Sequence, residues 1–112
     1  MNSDILSLEQ GIKDAEELVA RRDMAMRLSQ HRDFRKIFMD DYFVTEAARL
    51  VQLSADPALT QEQRGDALNM AQATGHAKRY LSMMIRMGSH AEEELPEMRA
   101  TLEELRSFET EE

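Results

Sequence analysis

Four of the six aromatic residues in this chain, Phe34, Phe38, Tyr42 and Phe43, fall within the eleven positions that begin at Asp33. Aromatic side chains bury the largest area per residue, so an aromatic core, if there is one, must be organised around this stretch. The rest of the sequence leaves little choice of element. Met, Ala, Leu, Glu, Gln and Arg are abundant, while Gly and Pro number only 4 and 2. Unbranched side chains lose little rotamer freedom in a helix. Runs of β-branched residues and Asn-Gly or Asp-Gly turns are absent, which removes the usual strand and hairpin signals. The expected fold is all-α: an antiparallel bundle of four to five helical segments, with long first and later helices. A single helical domain over residues 1–112 is expected, with residues 109–112 frayed.

The 112 residues suffice for one modest core. A hydrophobic content of 42% argues against disorder, but 32% charged residues and a mean hydropathy of -0.58 leave little apolar material to spare. Without Cys there is no disulfide or thiolate chemistry. No apolar run approaches the ~20 residues of a membrane-spanning helix. Met1 opens a polar amphipathic pattern instead of a secretory signal, so a soluble protein with no membrane partner is expected.

Taken in order, Ser3 or Asp4 can cap a first helix running to about Gln30. Its apolar positions, Ile5, Leu8, Ile12, Ala15, Val19 and Met26, recur in steps of three and four with Arg22 interrupting, the narrow stripe of a coiled-coil seam. Asp33 is placed to cap the next helix. Asp40-Asp41 then breaks the apolar pattern, and Tyr42-Phe43-Val44 marks a bend before Thr45. The stretch 34–55 reads equally as one kinked helix or two short ones, ended by Asp56-Pro57. Thr60 with Gln63 forms a capping box. The helix after it turns Ala67, Leu68, Ala71, Gly75, Leu81, Met84 and Ile85 inward and ends at Gly88, with Ser89 capping the last helical segment. Around and beyond Pro96, the residues Leu95, Met98, Leu102, Leu105 and Phe108 repeat at seam spacing.

The net charge of -8 is unevenly distributed. Residues 21–36 hold Arg21, Arg22, Arg27, Arg32, Arg35 and Lys36 against two Asp, while residues 92–112 hold nine Glu against Arg99 and Arg106. The basic shoulder is too small for a nucleic-acid footprint in so acidic a chain. It suits an ion-pairing protein face better. His31, His76 and His90 include no pair at i, i+4, and the His90/Glu94 pair alone is too few donors for a metal. Asp40, Asp41 and Glu46 lack the apolar surroundings that would tune a carboxyl for acid–base work. Arg64-Gly65-Asp66 matches an adhesion tripeptide but falls in a helical pattern. No phosphate loop or nucleophile context is present. The chain is read as non-enzymatic, with no cofactor and no small-molecule substrate. The residues expected to mediate association are the seam residues Ile5, Leu8, Ile12, Val19, Leu95, Met98, Leu102, Leu105 and Phe108, the basic pair Arg21 and Arg22, and the soft patch Met83 and Met87.

Asp33-Phe34-Arg35-Lys36-Ile37, Tyr42-Phe43, Glu46-Ala47-x-Arg49-Leu50 and Ala55-Asp56-Pro57, with Tyr80-Leu81 later, form a pattern that resembles small helical proteins of tailed bacteriophages. Asp41 stands where that pattern tends to have Gly. The resemblance implies a virion or head-assembly component made in the host cytoplasm. Such a component would self-associate or bind other phage structural proteins. A second possibility is an acidic regulator, a nucleic-acid mimic that inhibits a host enzyme through its Glu-rich C-terminal segment.

Overall fold

The computed structural model describes residues 2–111. Among them there is no strand, and three helical runs account for nearly all positions. The first, α1, is Asn2–Gln30, with Asp4 in its first turn and Arg27 in its last, matching the helix dipole at both ends. His31 interrupts it with extended backbone (φ -66, ψ 128) and caps the next run: its Nδ1 accepts from the Asp33 N–H at 3.2 Å. The cap is therefore His31, and the expected Asp33 sits inside the first turn instead.

The second run, α2, covers residues 32–54 without a break. It opens as α-helix at Arg32–Phe34, widens to π-helix over Arg35–Glu46 and returns to α-helix over Ala47–Ser54. The bend expected at Tyr42–Val44 does not occur. Thr45 starts no new helix; its hydroxyl donates to the Asp40 carbonyl at 3.3 Å. The chain then reverses through residues 55–60, where the Asp56 carboxylate accepts from the Ala58 N–H at 2.9 Å. The Arg64 guanidinium donates to the carbonyls of Asp56 and Leu59. The capping box forms with both bonds in place, Thr60 N–H to Gln63 Oε1 at 3.0 Å and Gln63 N–H to Thr60 Oγ1 at 3.1 Å.

The third helix, α3, is Gln61–Glu111. Three helices thus replace the four to five expected segments, because Gly88, Ser89 and Pro96 do not end anything. No Gly has positive φ, and Gly88 lies in mid-helix. Pro96 lacks the N–H that would bond the Glu92 carbonyl. The helix persists through it because apolar residues on both sides, Ala91, Leu95 and Leu102, are buried in the core. The helix continues to Glu111, and the Thr110 hydroxyl donates to the Arg106 carbonyl at 2.9 Å. Glu112 lies outside the described residues.

The chain divides into two compact units, one combining the N-terminal stretch up to Ala25 with Met84 onward, the other being Met26–Met83. In the first unit, Ile5, Ile12, Ala15, Ala91, Leu95 and Leu102 form the buried core, with Leu8, Leu18, Val19, Met98 and Leu105 packed against it. Arg106 bonds Glu9 at 2.8 Å and Arg22 bonds Glu92, so the two helices run antiparallel. Gly88 lets them approach: a Cβ there would lie 2.2 Å from the Arg22 Cβ and 2.7 Å from the Leu18 carbonyl oxygen.

The second unit is built differently. Its buried side chains are Leu50, Ala67 and Thr74. Thr74 is tolerated inside because its hydroxyl donates to the Ala71 carbonyl at 2.7 Å. Leu68 and Gly75, expected to face inward, are exposed, and nothing lies within 4 Å of a Cβ placed on Gly75. The aromatic cluster does not make the core either. Among the described residues no aromatic side chain is buried.

Candidate functional site

The aromatic residues pack on one another along the surface of α2. Phe34 stacks on Phe38 with ring centroids 5.0 Å apart. Phe38 meets Tyr42 edge-on at 5.9 Å and lies 6.4 Å from Phe43, which is 5.7 Å from Tyr42. These are the separations at which aromatic pairs attract. A π-helix closes its turns between residues five apart, is rarely longer than one turn, and occurs frequently at functional sites. The five-residue spacing shows in the side chains: Lys36 pairs with Asp41 at 3.2 Å, Thr45 bonds back to Asp40, and Phe38 approaches Phe43.

This widened segment presents a shallow groove lined by Ile37, Phe38, Asp41, Tyr42, Thr45 and Glu46. Ile37 is 57% exposed and Phe38 41%. The lining thus combines apolar Ile37 and Phe38 with charged Asp41 and Glu46. Glu46 is held by Arg49, whose hydrogen bond keeps the Glu46 carboxyl below its ordinary pKa. Elsewhere in the same unit Met26, Leu28, Val44, Val51, Leu68, Met70, Tyr80 and Met83 are also exposed. Ten large apolar side chains therefore face outward in a unit whose buried residues are one Leu, one Ala and one Thr. This unit therefore exposes more large apolar side chains than it buries.

The residues expected to mediate association fall into two groups. Ile5, Ile12, Leu95 and Leu102 are buried in the core of the first unit, and Leu8, Val19, Met98 and Leu105 pack against them. The seam is closed within the chain, with four of these eight side chains buried and four half-buried. Arg22 likewise turns inward: its side chain is only 12% exposed and its guanidinium grips Glu92 and Asp23. Arg21, Met83, Met87 and Phe108 remain at the surface, Arg21 beside Glu17 at 3.8 Å. Ile37 and Phe38 were not selected from the sequence as contact residues. Their positions along a helix do not say whether another element will cover them, so no local signal marked them.

His90 bonds Glu94 at 3.1 Å. Among the described residues no three His, Cys, Asp or Glu side chains group as metal ligands would. No described helix is long and apolar enough to cross a membrane.

The Arg22–Glu92 pair links the two helices of the first unit and is the main electrostatic feature there. The hydrogen bond from Arg22, followed by its charge, holds the Glu92 carboxyl below its ordinary 4.5, and Glu92 raises Arg22 in return. A carboxyl lowered on folding adds stability that is fully present above its unfolded value and is lost as pH falls through the folded one. The difference in melting temperature between the wild-type chain and Glu92→Gln is therefore expected to be constant above pH about 5. It should close on further acidification. A gap that widens in acid would contradict this assignment.

The chain matches no protein-family model, no curated protein and no solved structure.

Proposed function

We propose that this chain is a non-enzymatic protein that works through helix-mediated protein–protein contacts, as a small virion or head-assembly component of a tailed bacteriophage. The observation that carries the contact role is the second unit, with ten large apolar side chains exposed around its small buried set. Desolvating such side chains is the main driving force of association. The phage setting comes from the sequence pattern over residues 33–57. Lengthwise self-pairing of the seam is not part of the proposal, since Ile5, Ile12, Leu95 and Leu102 are already buried within the chain and Leu8, Val19, Met98 and Leu105 pack against them.

One observation favours the second role, an acidic regulator. Glu9 and Glu92 are engaged by arginines, but Glu93, Glu97, Glu103 and Glu104 form no ion pair among the described residues. Their charge is open to a basic partner. The two roles separate by experiment. When the chain is co-expressed with the structural proteins of a phage genome that encodes it, an assembly component co-sediments with particles or their precursors. A regulator instead binds one host enzyme in a salt-sensitive manner and stays out of particles. A chain that enters no particle and binds no phage structural protein overturns the assembly role.

A further inference from the structure

The order of charges along the α2 face selects an occupant for it. Lys36 stands at the N-terminal edge of the exposed pair Ile37 and Phe38, and Asp41 stands on the C-terminal side, lining the same groove. A helix laid parallel on this face from another copy would set lysine over lysine and aspartate over aspartate. Laid antiparallel about a two-fold axis near Phe38, it sets each Lys36 over the other copy's Asp41, and the apolar pairs meet in the middle. A surface that is complementary to itself under a two-fold rotation is the signature of an isologous contact.

We propose that this face is covered by a second copy of the chain. The two α2 helices run antiparallel, Ile37 and Phe38 of both copies are buried together, and Lys36 of each copy is paired with Asp41 of the other. The inference rests on the contact role proposed above and names its surface and partner. Within one copy Lys36 and Asp41 already bond at 3.2 Å with side chains 72% and 52% exposed, so dimerisation exchanges one ion-pair partner for another. The net gain then comes from the apolar centre, with the charges setting direction and register.

Sedimentation equilibrium over a dilution series of the full chain tests the proposal. The wild-type chain is expected to dimerise. Ile37→Glu, at an exposed position without a ring contact, is expected to weaken the dimer by about tenfold or more, with helicity by circular dichroism unchanged. Lys36→Asp and Asp41→Lys should each weaken self-association, because both then place like charges across the axis. The double variant Lys36→Asp/Asp41→Lys decides the matter. Alone it restores opposite charges across an antiparallel contact and is expected to dimerise like the wild type. Mixed with the wild type it sets lysine over lysine and aspartate over aspartate, so the heterodimer is expected to be weaker than either homodimer, whereas a parallel contact would make it tighter.

A monomeric wild type, a dimer indifferent to Ile37→Glu, or a heterodimer of wild type and double variant at least as tight as the homodimers would each overturn the proposal. A wild-type chain that fails here yet still enters particles leaves the contact role standing and removes only this surface. A chain that fails both tests loses both.

Discussion

Gly88→Ala is expected to destabilise the protein by about 1–3 kcal/mol, the usual cost of forcing atoms into a closed interface, although alanine is the better helix former by about 1 kcal/mol. The added Cβ would lie 2.2 Å from the Arg22 Cβ and 2.7 Å from the Leu18 carbonyl oxygen. Neither is the end of a flexible side chain. The helices themselves must separate, and the separation loosens Ala15 and Ala91 in the same core. Gly75→Ala supplies the control. Nothing lies within 4 Å of its Cβ position, so the helix propensity acts unopposed and stability should rise by up to about 1 kcal/mol. Urea unfolding of the three proteins checks both signs. Equal effects at the two glycines would show that the close approach at Gly88 is not what the sequence is accommodating.

Leu95→Ala should cost about 2–5 kcal/mol, the range for truncating a buried leucine. Leu95 belongs to a core of six buried residues, two of which are alanine, so few neighbours are large enough to move in and refill the space. A loss of that size is a large share of the roughly 5–15 kcal/mol that holds a typical domain together. Leu68→Ala, on the same helix but 45% exposed, should change stability by less than about 0.5 kcal/mol. The contrast, read from urea midpoints, tests whether the first unit is the part that holds itself together and the second the part that displays.

Several features were legible in the residues alone. The helical class followed from composition, and the seam at Ile5, Leu8, Ile12, Ala15 and Leu95, Met98, Leu102, Leu105 followed from spacing, since those positions do share one packed face. The Thr60/Gln63 box and the stop before Pro57 were legible because both are local, involving groups a few residues apart. The misplaced helix ends have a common cause. Gly88, Ser89 and Pro96 carry genuine local signals for termination, but burial of Ala91, Leu95 and Leu102 against another helix outweighs them. The aromatic cluster was located correctly and given the wrong role, because ring area alone does not say whether another element will cover it.

By itself, the sequence determined which residues are helical in kind, where apolar stripes lie on them and how charge is ordered along each stripe. These follow from bond geometry and side-chain preferences over one or two turns. Only the tertiary structure decided that the seam closes on itself, that Gly88 is a point of contact, and that α2 widens and leaves Ile37 and Phe38 at the surface. Those outcomes depend on which distant segment arrives to bury a given face, and no property of the face alone specifies that.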